Sequence, residues 1–132
     1  MSNVQIIKTI YDAFGRGDIP AVLGAMAPTI EWYEAEGNPY QPSGAAWVGP
    51  DAILQNLFTR IGAEWEYFRV VPRAFHDAGD TVIVEIRYEG KYTPTGRTMD
   101  AQACHLFTLR AGKVTKVQQY ADTAQLQAVI NP

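Results

Sequence analysis

The stretch Asp77-Ala78-Gly79-Asp80-Thr81-Val82-Ile83-Val84-Glu85-Ile86-Arg87-Tyr88-Glu89-Gly90-Lys91-Tyr92 decides the fold. It opens on a turn cluster, Asp77 to Asp80, and continues as a period-2 alternation from Thr81 to Tyr92. Val82, Val84, Ile86 and Tyr88 share one parity, while Glu85, Arg87 and Glu89 share the other. That is the signature of a strand with one buried and one wet or partner-facing side. The same period extends both ways. A strand is predicted upstream from about Glu64 to His76, bent at Pro72. Downstream, Pro94-Thr95-Gly96 reads as a turn, Met99 to Arg110 as a strand, Ala111-Gly112-Lys113 as a hairpin turn and Val114 to Ala121 as the last strand.

The chain before this region reads differently. Val4, Ile7, Tyr11 and Phe14 recur at helical spacing behind a cap at Ser2 or Asn3, and Gly15 and Gly17 end that helix. Asp18 caps a second, short helix with Pro20 in its first turn, which Pro28 is expected to stop. Thr29 to Glu34 is predicted as a strand with Ile30, Trp32 and Glu34 on one face. Ala35 to Gly49 is too long and too rich in Gly and Pro for a tight turn and reads as a loop at the mouth of a site. Gly49-Pro50-Asp51 opens a third helix through about Ile61, with Ile53, Leu57, Phe58 and Ile61 as its apolar stripe. A frayed C-terminal helix is expected after Asp122 or Thr123. Helices followed by hairpin-linked strands predict one α+β domain over residues 1–132, three helices packed on a strongly curved, mostly antiparallel sheet.

Composition limits the function classes. The chain has 132 residues, 47% hydrophobic and 19% charged, which suits a folded core rather than disorder. A net charge of −3 without a Lys/Arg cluster speaks against nucleic acid and anionic membranes as partners. Cys104 is the single cysteine, and His76 and His105 stand far apart, so no metal-type spacing is present. No Gly-rich phosphate loop precedes a helix; no cofactor and no metal are expected. No stretch reaches the length of a membrane span and the N-terminus lacks a signal-like pattern, so a cytoplasmic location is the expectation.

Five landmarks resemble the NTF2-like superfamily in its SnoaL-like, ketosteroid-isomerase-related branch. They are Tyr11-Asp12-Ala13-Phe14-Gly15-Arg16-Gly17-Asp18-Ile19-Pro20-Ala21-Val22; Gly79-Asp80-Thr81-Val82-Ile83-Val84-Glu85; Thr95-Gly96-Arg97; Gly112-Lys113-Val114; and Tyr120-Ala121-Asp122-Thr123. Their order and spacing span nearly the whole chain. The resemblance implies a cone, with helices closing a curled sheet around a deep pocket, and a homodimer packed through the sheet's outer face. It implies little about chemistry, because this fold hosts isomerases, cyclases, hydrolases, dehydratases and pure binding proteins.

Catalysis in this family needs a carboxylate in an apolar pocket, where burial raises its pKa toward neutrality. The polyketide cyclases carry a His on the penultimate strand, matched here by His105, and an Asp on the last, where this chain has Gln119. Epoxide hydrolases of the family also place Asp at the Gln119 position, and an amide cannot exchange a proton there. Ketosteroid isomerases carry their base on the first strand near Trp32 or Tyr33. No Asp stands there, but Glu34 follows at Trp32's parity. Glu34 is therefore one catalytic candidate, against the plainer reading of a solvated rim carboxylate. His105 is the other, as a base with a near-neutral pKa or, more plainly, as a core histidine satisfied by Gln119 or a tyrosine.

Trp32, Trp47, Phe58, Phe75, Tyr88, Phe107 and Gln119 are expected to contact a ligand, with Trp47 near the pocket mouth. Aromatic walls with few polar groups suit a small hydrophobic or cyclic molecule. Glu85, Arg87 and Glu89 read as an outward charge row, Asp100 as exposed and Cys104 as a packing residue. Three functions compete. One is an isomerase, cyclase or hydrolase working by acid–base chemistry, and a second is a non-catalytic binding protein. The third is a dimerisation module whose pocket is filled by Trp32, Trp47 and Phe58.

Overall fold

The computed structural model describes residues 1–132. Its elements run α1 (Asn3–Gly15), α2 (Ile19–Gly24), β1 (Met26–Tyr33), β2 (Ala46–Val48), α3 (Pro50–Ile53), a π-helical turn (Leu54–Phe58), α4 (Thr59–Glu64), β3 (Trp65–Ala78), β4 (Thr81–Tyr92), β5 (Thr98–Arg110), β6 (Lys113–Ala121) and α5 (Thr123–Ile130). The strands form one sheet in the order β2-β1-β6-β5-β4-β3. Only β1 and β6 pair in parallel; every other neighbour is antiparallel. This is the α+β, NTF2-like cone expected from the alternating C-terminal half.

Local chemistry explains the element boundaries. Ser2, not Asn3, caps α1: its hydroxyl accepts from the Gln5 N–H, and the Gln5 side chain accepts from the Ser2 N–H. Asp18 caps α2 by accepting from the Ala21 N–H at 3.2 Å. Pro28 does not stop that helix, which ends at Gly24. It lies inside β1, where the β1–β6 register shifts between Met26 and Glu31, and a bulge tolerates a residue that cannot donate to the ladder. Pro72 plays a similar part in β3, where the register with β4 shifts between Pro72 and Ala74. The β5–β6 turn puts both Ala111 (φ 50°) and Gly112 (φ 77°) in the left-handed region, as a tight two-residue hairpin requires.

Three segments depart from the sequence reading. Part of the expected loop 35–49 is strand β2, which sets Trp47 directly opposite Trp32. The third helical segment runs on to Glu64 and contains a π-helical turn at Leu54–Phe58. The wider turn lets the adjacent Leu57 and Phe58 both reach the interior. The C-terminal helix is not frayed. Asp122 caps it, Leu126 and Val129 are buried, and the Arg97 guanidinium donates to the Ala128 and Asn131 carbonyls at 2.6 Å each. A cation on the last free carbonyls satisfies them and complements the helix dipole.

The core lies between the helices and the concave face of the sheet. Ile7 from α1, Ile30 from β1, Ile53 from α3 and Val82 and Val84 from β4 are fully buried. Each such side chain stabilises the fold by roughly 1.5–3 kcal/mol relative to exposure. Gly90 marks a close approach: a Cβ there would stand 2.9 Å from Trp65 Cε3 and 3.1 Å from the Tyr67 carbonyl oxygen, so only Gly lets the indole lie flat on β4. The outer face is polar as expected. Glu85 meets His76 at 2.7 Å, and Arg87 meets the exposed Asp100 at 3.0 Å. No helix is long and apolar enough to cross a membrane.

Candidate active site

The helices do not fill the concave face. A hollow of about 80 Å³, counted as space open to the centre of a water molecule, remains between α1, the π-helical turn, the sheet and α5. On the same measure one water needs roughly 10–15 Å³, so the space holds several water-sized groups. Seventeen of its 21 wall residues are hydrophobic; the others are Glu34, Asn38, His105 and Gln119. Phe14, Phe58 and Trp32 form one aromatic wall: Phe58 meets Phe14 edge-on at 5.7 Å and Trp32 at 5.7 Å. Leu126 of α5 contributes to the lining.

Strand alternation places the polar groups. His105 and Phe107 share a parity on β5, and Gln119 stands opposite His105 on β6. Tyr88 on β4 belongs to the same inward face. His105 is wholly enclosed: its Nδ1 lies 2.7 Å from the Tyr11 hydroxyl and its Nε2 2.5 Å from the Tyr88 hydroxyl. Gln119 Nε2 donates to Tyr88 Oη at 2.8 Å, while its Oε1 accepts from the Ala35 N–H at 3.2 Å and from Asn38 Nδ2 at 2.9 Å. Asn38 Oδ1 in turn accepts from the Tyr40 N–H at 2.9 Å. A buried chain of hydrogen bonds therefore runs from the 35–40 loop to α1.

Burial without an anionic partner pushes the His105 pKa down to about 4. The near-neutral base expected from the sequence is therefore not what this environment produces. The imidazole is neutral at physiological pH, with both ring nitrogens engaged by phenols. Desolvation also raises the Tyr11 and Tyr88 phenols well above their ordinary range, so both hydroxyls keep their protons.

Glu34 behaves in the opposite way from a rim carboxylate. It is 2% exposed, and burial raises its pKa to about 8. The Trp32 indole N–H draws that value down somewhat but closes no hydrogen bond: Trp32 Nε1 and Glu34 Oε2 are both without partners. Buried polar atoms are almost always satisfied, so an unpaired carboxyl oxygen in a cavity wall is unusual. Glu34 extends just past the end of β1, where the strand's parity still turns it inward with Trp32.

The hollow thus brings together Glu34, Trp32, Phe58, Tyr88, His105, Phe107 and Gln119. It leaves out two of the residues expected to contact a ligand. Trp47 is buried on the edge strand β2, one strand beyond Trp32, where it covers the sheet edge. Phe75 packs edge-on against Tyr11 at 5.8 Å from behind. Tyr11, Asn38 and Leu126 were not anticipated as wall residues. Tyr11 carried a signal, a hydroxyl on the buried stripe of α1 that needed a partner. Asn38 carried none, because a loop has no periodicity to read.

The relatives agree with this architecture. The SnoaL-like domain family matches residues 7–117. An NTF2-like protein of Burkholderia thailandensis is 35% identical, with a TM-score of 0.93 over 100% of this chain and 99% of that one. An NTF2-like protein of unknown function from Burkholderia pseudomallei is 25% identical, with a TM-score of 0.89 over 100% of both chains. TerC, co-crystallised with polyporic acid, is 28% identical, with a TM-score of 0.86 over 98% of each chain. No curated protein matches the chain. The curled sheet, the helices closing it and the family match over most of the sequence agree: this chain belongs to the SnoaL-like domain family, on the NTF2-like fold.

Proposed function

We propose that this protein binds a small hydrophobic or cyclic molecule in the hollow and carries out acid–base chemistry on it through Glu34. The observation that carries this reading is a buried carboxyl with an unpaired oxygen and a pKa of about 8, set in an otherwise apolar wall. Such a group is divided between acid and base near neutral pH, where proton transfer in either direction is effective. Glu34 also borders a shallow surface depression beside Glu36 and Gly44, which offers its proton a short route to solvent. The neutral His105 then serves as a holder of hydroxyls, and Gln119 as a positioning group. The reading fits proton abstraction beside a carbonyl, the step shared by isomerases and cyclases. The likeness to TerC, which was co-crystallised with polyporic acid, supports an organic ligand.

The test uses an enolisable ketone such as acetophenone in deuterated buffer, with exchange at the methyl carbon followed by proton NMR. Wild-type protein is expected to accelerate exchange, and Val117→Trp, which fills the hollow from β6, should abolish both binding and exchange while leaving the fold intact. Exchange at the same rate with the cavity filled would place the chemistry elsewhere.

The proposal includes a homodimer. The outer sheet face carries Tyr120 at 57% exposure on β6, opposite Cys104 on β5, a large exposed aromatic ring in a face otherwise edged by Glu85, Arg87 and Gln102. Sedimentation should give about twice the monomer mass, and Tyr120→Asp should shift it toward one. A wild-type monomer at high micromolar concentration would remove the dimer.

A further inference from the structure

The polar end of the hollow is closed. Trp32, Glu34, Tyr88, His105 and Gln119 are each between 2% and 8% exposed, so a molecule larger than water reaches them only when part of the wall moves. One part of the wall is built to move as a unit. Residues 35–45 leave β1 and return to β2, and their ends are held side by side where Tyr33 pairs with Ala46. Inside this flap the backbone bonds to itself. The Gly37 N–H donates to the Pro42 carbonyl, Asn38 to Ala35, Gln41 to Asn38 and Gly44 to Gln41, at 3.0–3.1 Å. Gly37 (φ 82°) and Gly44 (φ 73°) take the left-handed turns near its two ends. Close ends and internal bonding make this an Ω-loop, whose shape does not depend on the body it covers. No backbone-to-backbone bond ties residues 35–45 to another element. Side chains hold the flap down instead. Gln119 Oε1 accepts from Asn38 Nδ2 at 2.9 Å and from the Ala35 N–H at 3.2 Å. The Tyr40 hydroxyl donates to Glu64 at 3.0 Å and accepts from the Trp65 indole at 2.8 Å. Gln127 of α5 donates to the Gly37 carbonyl at 2.7 Å.

From this arrangement we infer that residues 35–45 are the door of the hollow, hinged at the β1–β2 ends and latched by Asn38 on Gln119 and by Tyr40 on Glu64 and Trp65. Asn38 and Tyr40 line the hollow, so lifting the flap removes two wall residues at the end where Glu34 stands. Each latch is worth only about two- to tenfold in population, because its groups bond to water when the flap lifts. Closure also completes the site. It fixes the Gln119 amide with its oxygen on the flap and its nitrogen on Tyr88, and it shuts water away from Glu34. The competing entrance is the half-buried apolar rim of Ile10, Phe14, Ile61 and Phe68. That rim belongs to α1, α4 and β3, whose backbones are held by their own ladders. The purpose of the door rests on the reading of the hollow as a ligand site, but its motion belongs to the empty protein.

A staple tests the door. A Cβ on Gly37 would stand 3.8 Å from Thr123 Cβ, the spacing of a disulfide. Gly37→Cys with Thr123→Cys, in a Cys104→Ser chain so that only one pair can form, locks the flap to α5 when oxidised and frees it when reduced. The reduced form is the control for the strain of a side chain at φ 82°. The first readout needs no ligand. The Trp32 indole N–H is buried and unpaired, so its exchange with deuterated water, followed by proton NMR, waits only on water reaching it. In wild-type protein it should exchange faster than the Val84 amide in mid-sheet, which waits on global unfolding. Oxidation of the staple should slow it at least tenfold relative to the reduced form. Tyr40→Phe, which removes the Glu64 and Trp65 bonds and needs no disulfide, should speed it about five- to tenfold. The second readout is acetophenone binding by stopped flow. Oxidation should slow association and release together at least tenfold and leave Kd within about twofold. Equal rates in the oxidised and reduced forms would overturn the door and place the entrance between α1 and α4. Trp32 exchange no faster in Tyr40→Phe than in wild type would overturn the latch. Slowed Trp32 exchange in a protein that binds no acetophenone in either form would uphold the door and remove the ligand reading alone.

Discussion

Glu34→Leu is expected to stop proton exchange on a bound ketone and, at the same time, to stabilise the fold. The second effect follows from the first group's environment. In the unfolded chain the carboxyl ionises near its ordinary value of 4.5, whereas in the folded protein it holds its proton to about 8. Below pH 4.5 it is protonated in both states and costs nothing. As pH rises through that window the unfolded state gains from ionising and the folded state does not, so stability is lost by about 1.4 kcal/mol per pH unit. The penalty reaches about 3 kcal/mol at pH 7 and levels off at about 5 kcal/mol above pH 8. A leucine of similar volume has no such term; it also removes the carboxyl that the Trp32 indole N–H faces, but no closed hydrogen bond is lost with it. Urea unfolding at pH 7 should show a gain of about 3 kcal/mol that shrinks toward zero near pH 4.5. Glu34→Gln, which keeps the shape, should lose exchange while still binding acetophenone. A Glu34→Leu protein no more stable at pH 8 than at pH 5, relative to wild type, would mean that Glu34 is solvated and ionised.

His105→Leu is expected to act in the other direction, destabilising the fold by about 2–4 kcal/mol at pH 7. The substitution strands two buried hydroxyls at once, because Tyr88 and Tyr11 each lose the imidazole nitrogen they are hydrogen-bonded to. It also changes the acid limb of the stability curve. The folded pKa of His105 is depressed from 6.5 to about 4, so its contribution is fully present above pH 6.5 and is lost as pH falls toward 4. Between pH 4.5 and 6.5 this slope and that of Glu34 are opposite in sign and similar in size. Their joint contribution in wild-type protein is therefore level there and falls by about 2 kcal/mol from pH 6.5 to 8. Without His105 the plateau should become a continuous decline from pH 4.5, and without Glu34 it should become a rise that ends near pH 6.5. Chemical denaturation across pH 4 to 8 for the three proteins checks both signs. A His105→Leu protein within 0.5 kcal/mol of wild type at pH 7, on the scale of an ordinary surface substitution, would show that the two phenols find other partners.

Together the two variants describe a site that works against stability on one side only. Every member of the Tyr11–His105–Tyr88–Gln119 chain has a hydrogen-bond partner, which fixes side-chain positions in a part of the core that packing leaves hollow. Glu34 is the opposite case, buried with its Oε2 unpaired. Sites that do chemistry are where proteins carry such unfavourable groups, because a satisfied carboxylate has a low pKa and poor reactivity.

The strand-forming half of the chain was open to reading because alternation is a local property. Val82 to Tyr88 on one parity and Glu85 to Glu89 on the other assign each side chain to a face without reference to any neighbour. The same rule turned Glu34 inward with Trp32, and His105 inward with Phe107. Reading failed where position depends on distant partners. Trp47 belongs to strand β2 only because β1 lies beside it, and Phe75 is held back from the hollow by Tyr11. The C-terminal helix is ordered because Arg97, 31 residues before Ala128, reaches its carbonyls.

The amino-acid sequence by itself determined the class of fold, the family and the inward set of side chains, since periodicity, caps and turn residues act over a few neighbouring positions. Only the tertiary structure decided what those inward groups are chemically. Burial disfavours the charged form of both groups, so it raised the pKa of the acid Glu34 and lowered that of the base His105, and how far depends on everything packed around each. Whether the enclosed His105 met two phenols or a carboxylate was settled by which strands and helices came to lie beside it.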